Sequence, residues 1–100
     1  MLTLIVTADD ALFERLTERH RGEGTVRRAS NVLEGHEIAL AQQLSSIIID
    51  MSLHAADTLI ETLRSRSSTA HLPVYVVGSS KRMPFELRRL CTDILEADGL

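Results

Sequence analysis

The chain has 100 residues, of which 44% are hydrophobic and 25% charged, and its formal net charge is −3. That length and apolar content describe one small globular domain and leave no room for a second. Three aromatics, two isolated arginine pairs (Arg27-Arg28 and Arg88-Arg89) and the acidic balance argue against nucleic acid as a partner, and no apolar run comes near the ~20 residues of a bilayer span.

The first residues, Met1 to Ala8, carry neither a basic lead nor a cleavage signal, so a cytoplasmic location is expected. Leu2 to Val6 reads as a first strand. Thr7-Ala8-Asp9-Asp10 supplies a turn and an N-cap for a helix that places Leu12, Phe13 and Leu16 on one side. Gly22 and Gly24 end that helix, and Thr25 to Ala29 is a short second strand. Asn31 followed by Glu34 forms a capping box for a second helix that runs to about Gln42.

The segment Leu44-Ser45-Ser46-Ile47-Ile48-Ile49-Asp50-Met51 is the most informative of the chain, because a β-branched run closed by a lone carboxylate reads as a buried central strand. In open parallel sheets ligands and chemistry gather beyond the carboxyl ends of such strands, which is where Asp50 stands. Ala56, Leu59, Ile60 and Leu63 then fall at i, i+3, i+4 and i+7 and predict a third helix. Pro73 opens a fourth strand, Val74 to Val77, closed by Gly78-Ser79-Ser80. Pro84 starts a last helix that carries Leu87, Leu90, Cys91, Ile94 and Leu95 as far as Ala97. Cys91, the single cysteine, reads as a small core residue of that helix, and redox chemistry is not supported.

Four strand–helix units in strict alternation imply a flavodoxin-like α/β fold: a three-layer open parallel sheet of order 2-1-3-4, with no fifth strand or fifth helix. On that reading residues 1–100 are one domain, complete or the N-terminal part of a longer protein. The fourth strand would be an open edge. Val74, Val76, Leu87, Leu90 and Ile94 then become an interface, and a homo-oligomer is expected.

Three stretches, LTLIVTADDALFERL, SSIIIDM and DTLIETLRSRSSTAHLPVYVVGSS, resemble the receiver domain of bacterial two-component response regulators. The likeness spans nearly the whole chain. It implies that Asp50 is the phosphoacceptor of a phosphorelay, that Mg²⁺ would be held by Asp50 and an acidic partner, and that a sensor kinase or an output domain is the partner. Receivers also supply a hydroxyl at the end of the fourth strand and a lysine at the end of the fifth. Aligning the stripe of the first helix puts Thr7 and Ala8 where the acidic pair belongs, leaving Asp9 as the second metal carboxylate and Asp10 as the helix cap. Gly78 falls at the switch position, with Ser79 one residue on. These departures are the pattern of a degenerate receiver, a pseudo-receiver that acts through protein contacts.

Two other classes compete. One is an anti-sigma-factor-antagonist-like domain with Thr58 as its switch hydroxyl, suggested by IIIDMS and the Asp57-Thr58 pair, although the expected Ser-Gly is missing. The other is a receiver-like accessory wing of a larger enzyme, such as an amino-acid decarboxylase. Catalysis by this chain alone is not expected, since there is no glycine-rich phosphate loop after the first strand, no nucleophile elbow and no Cys-His pair. His54, in the loop after Asp50, reads as solvent-facing, and His20, His36 and His71 are too scattered for a metal set.

Overall fold

Side chains alternate along each apolar strand, and in this molecule the alternation sorts them into two separate cores. The computed structural model describes residues 1–22 and 24–97. Strands β1 (Leu2–Val6), β2 (Thr25–Ala29), β3 (Ser46–Asp50), β4 (Val74–Gly78) and β5 (Asp93–Glu96) form one sheet of order β2-β1-β3-β4-β5 in which every pair is parallel. Helices α1 (Asp10–Arg19), α2 (Val32–Ala41), α3 (Ala56–Ser65) and the single turn α4 (Phe85–Arg88) connect them. Leu4, Val6, Ile47, Ile49, Val74 and Val76 point to the face covered by α2, α3 and α4. Ile5, Ile48 and Val77 point the other way, against Leu12 and Leu16 of α1. The fold is the flavodoxin-like three-layer arrangement.

The helix ends follow local chemistry. Asn31 accepts the Glu34 N–H at 2.8 Å, which is one half of the expected capping box. The cap of α1 is Asp9 rather than Asp10, its Oδ1 accepting the N–H groups of Ala11 and Leu12. Asp10 is instead the first helical residue and pairs with Arg28 at 2.8 Å. Between α1 and β2, Gly24 adopts φ +117, and a Cβ there would lie 2.7 Å from the Met1 carbonyl oxygen. Only glycine fits that turn.

The expected open edge does not exist. β5 pairs with β4 from Tyr75↔Asp93 to Gly78↔Glu96, so the sheet has its fifth strand. The stripe Leu87, Leu90, Cys91, Ile94, Leu95 is accordingly divided between a four-residue helix and a strand. An unpaired β4 would leave a row of backbone donors and acceptors unmet, and helix periodicity over a few residues is too weak a preference to outweigh that. Thr92 starts the pairing: its N–H donates to the Val74 carbonyl at 2.7 Å and its Oγ1 accepts the Val74 N–H at 3.0 Å. Val74, Val76 and Leu87 are buried, and Leu90 and Ile94 pack partly against the same core. Three of these residues are thus interior and two half-buried, and β4 is not the open edge on which a homo-oligomer was expected.

Arg64 of α3 closes the structure around the new strand. Its Nε donates to the Leu90 carbonyl at 2.7 Å, and one terminal nitrogen donates to the carbonyls of Ala70 at 2.9 Å and Leu72 at 2.7 Å. Thr69 Oγ1 donates to the Leu63 carbonyl at 2.6 Å in the same loop. Cys91 lies outside any helix, and burial raises its thiol pKa above the ordinary value against the lowering influence of Arg64. A raised pKa favours the protonated thiol.

One backbone position is strained. Ala55, which precedes α3, sits at φ 63 and ψ 21, the left-handed region, and offers no side-chain cap. A residue with a Cβ pays roughly 1–2 kcal/mol for that conformation, whereas glycine does not. Ala55→Gly is therefore expected to raise stability by about 0.5–1 kcal/mol, after allowance for the greater unfolded-state freedom of glycine, seen as a higher urea midpoint at unchanged m-value.

Candidate functional site

The strand order reverses between β1 and β3, and the crevice beyond their carboxyl ends is where such a sheet offers a site. Asp50 closes β3 there, with β4 on its other side in the register Asp50↔Val77. A cleft of about 520 Å³ opens at this point, lined among others by Asp9, Asp50, Gly78 and Ser79. The structure thus brings together the four residues that the sequence singled out from three separate loops.

The carboxylate of Asp50 is only 7% exposed and both of its oxygens are engaged. Thr7 Oγ1, at the end of β1, donates to Oδ2 at 2.7 Å. Ser52 donates twice to Oδ1, from its backbone N–H at 2.9 Å and from its hydroxyl at 2.7 Å. Thr7 Oγ1 in turn accepts the Asp9 N–H at 3.1 Å, so one hydroxyl links the start of α1 to the end of β3. Three hydrogen bonds thus compensate the burial of this polar side chain.

Neither Thr7 nor Ser52 was singled out from the sequence as part of the site. The register of the first helix stripe does put Thr7 at the acidic-pair position, and a serine two residues after an aspartate is an ordinary turn partner, so both signals were present in weak form. Two further residues of the cleft, Arg15 on α1 and Arg82 after β4, were missed because isolated arginines carry no pattern.

At the end of β4, Gly78 lacks a side chain, and a Cβ built there would lie 3.3 Å from the Cβ of Met51. A hydroxyl-bearing residue at 78 would press on the strand-end methionine. Ser79, one residue on, lines the cleft. At the end of β5 the lining residue is Ala97, which brings no charge, so the positive charge of the cleft comes from arginines. Glu96, beside it, accepts the Ser80 N–H at 3.2 Å, and hydrogen bonds from Ser80 hold this exposed carboxyl below its ordinary value.

No family model matches the sequence, and no curated protein matches it significantly. Solved structures do match. A provisionally assigned response regulator from Chloroflexus aurantiacus J-10-fl superposes with a TM-score of 0.81 at 25% identity, covering 97% of this chain and 84% of that one. A response regulator receiver domain (CheY-like) from Methylobacillus flagellatus gives 0.83 at 19% identity over 96% of this chain and 85% of that one. The chain has the fold of a response-regulator receiver domain. A third receiver, from a sensor histidine kinase of Pseudomonas aeruginosa PAO1, has a TM-score of 0.72 at 14% identity over 94% of this chain and 83% of that one, and it holds a magnesium ion in its active-site cleft.

The donor set of this chain is a poor match for that ion. Magnesium takes an octahedron of oxygens and is held through carboxylates that are free to bind it. Here Thr7 contributes a neutral hydroxyl next to Asp50, the Oδ1 of Asp9 is occupied in capping α1, and both oxygens of Asp50 accept hydrogen bonds. Among the described residues no group of three or more His, Cys, Asp or Glu side chains could hold a metal. The expected metal residues Asp9 and Asp50 share one cleft. No helix among the described residues is long and apolar enough to cross a membrane.

Proposed function

We propose that residues 1–100 form a receiver-type signalling module of the two-component class that acts through protein contacts, with Asp50 at the phosphoacceptor position but without phosphoryl transfer as its switch. The observation that carries this reading is the clamp on Asp50. Attack on phosphorus by a carboxylate needs an exposed oxygen and a cation that offsets the repulsion between anions. Asp50 is only 7% exposed and already accepts three hydrogen bonds, and a hydroxyl stands where a second carboxylate would help to hold the ion. The clamp instead joins the end of β1, the end of β3 and the first turn after it into one rigid corner.

In this reading the chain has no catalytic activity of its own, works in the cytoplasm, and has a sensor kinase or an output domain as its partner. Amide NMR spectra recorded with Mg²⁺, and then with Mg²⁺ and beryllofluoride, test it, with Asp50→Asn as the control. No saturable shift at Asp50, Gly78 or Ser79 is expected from either addition. Saturable shifts at those residues that vanish in Asp50→Asn would make this a working phosphoreceiver and overturn the reading.

A further inference from the structure

A second surface, on the far side of the β3–α3 loop, has no part in the Asp50 cleft. α2 and α3 pack side by side, and between them runs a groove of about 610 Å³, lined by Val32, Leu33, His36, Leu53, Thr58 and Leu59 among others. None of its lining residues lines the Asp50 cleft.

The α2 helix is apolar on both sides. Gly35, Ile38 and Ala39 face the protein, while Leu33 and Leu40, two turns apart on the outer side, are 68% and 45% exposed. A surface helix with water on that side carries polar residues there, so the pattern is that of a helix covered by something else. His36, in the groove wall, has a buried Nε2 with no hydrogen-bond partner, a polar atom whose desolvation is uncompensated.

Charge identifies the kind of cover. α2 carries Glu34 and Glu37, both exposed, and neither lysine nor arginine. α3 exposes Asp57 and Glu61, and its one basic residue, Arg64, is committed to the carbonyls of Ala70, Leu72 and Leu90. Of these carboxylates, Glu37 is four residues on from Leu33 and Glu61 three on from Thr58, so both stand next to lining residues, with no uncommitted cation on either helix; His54 is the remaining titratable group in the lining beside His36.

We infer that the α2–α3 groove is a docking site for a basic amphipathic helix of a partner protein. Apolar residues of that helix at i, i+3 or i+4 and i+7 fill the groove over Leu33, Leu53 and Leu59, as a third helix settles between two packed ones. Lysines and arginines on its flanks meet Glu37 and Glu61, which steers association and sets orientation. The inference is independent of how Asp50 is used.

The test titrates the full chain with a capped helical peptide of about 18 residues, leucines on one stripe and lysines beside it, followed by calorimetry and amide NMR. Two controls carry the same leucine stripe with glutamates for lysines, and the same composition scrambled. The striped lysine peptide is expected to shift α2 and α3 amides saturably, with both controls weaker by about tenfold or more. Thr58→Arg, at an exposed position, fills the groove and adds a cation, and is expected to weaken binding by about tenfold without unfolding the chain. The double variant Glu37→Lys, Glu61→Lys should reverse the preference between the lysine and glutamate peptides.

Absence of saturable shifts on α2 and α3, equal binding of the scrambled peptide, or unchanged binding by Thr58→Arg would overturn the inference. So would self-association in light scattering that Thr58→Arg abolishes, since a second copy would then be the occupant. None of these outcomes bears on the beryllofluoride experiment, so the two readings fail separately.

Discussion

Arg64→Ala is expected to destabilise the fold by about 3 kcal/mol, lowering the melting temperature by roughly 15 °C in a domain of this size. The guanidinium makes three short bonds to the carbonyls of Leu90, Ala70 and Leu72, which belong to the loop before β4 and to the segment that leads from α4 into β5. Each is a charge-assisted bond to a partly buried acceptor, and its removal leaves three carbonyls without their donor. Arg64→Lys should recover less than half of the loss, because a single ammonium on a flexible stem cannot reproduce a planar fork that serves two segments at once. Urea unfolding of the two variants at one pH measures both quantities. Equal stabilities for Arg64→Lys and the parent chain would show that charge alone suffices and that the fork geometry is irrelevant.

Asp50→Ala is the second large effect, and its sign separates two views of the site. If the carboxylate is a structural clamp, its loss leaves the Thr7 hydroxyl and both Ser52 donors unpaired in a buried corner and costs about 2–3 kcal/mol. Asp50→Asn should cost only about 1 kcal/mol, because a carboxamide oxygen still accepts from Ser52 while its amide group faces Thr7 Oγ1. A carboxylate kept for chemistry behaves in the opposite way, since functional sites retain groups at the expense of stability and removing them often stabilises a protein. A higher unfolding midpoint for Asp50→Ala would thus count against the clamp and in favour of a working acceptor.

How far the sequence could be read follows from which forces are local. The first four strands lie where their apolar, β-branched runs put them, and Asn31 caps α2 as its spacing predicted. Asp50 stands at the central strand end because Ile47, Ile48 and Ile49 need burial on both faces of the sheet. β5 was hidden because Leu87, Leu90, Cys91 and Ile94 repeat at helical spacing, and only the unmet backbone edge of β4, a tertiary demand, turns the last of them into a strand. In the site, the position of Asp50 was legible but its partners were not. Thr7 and Ser52 are hydroxyl residues of a kind that any turn carries, and what makes them matter is the meeting of two strand ends. The two adjacent acids were told apart the wrong way round for the cap: Asp10 was expected to cap α1, while in space Asp9 caps it and Asp10 binds Arg28.

The placement of β1 beside β3 also governs the route by which the chain can reach this state. Thr7 and Asp50 are 43 positions apart in the chain, with α1, β2 and α2 between them, and every neighbouring pair of strands is parallel. No hairpin is available as a local nucleus, since parallel partners must wait for a crossover to form. The chain has to close long loops, at an entropic cost, before the central strands reward it, and topologies of this kind fold more slowly than helical bundles of equal length. During that interval the isoleucines of β3 form a bare β-prone segment, so the same strand that organises the finished molecule is its main aggregation hazard at birth.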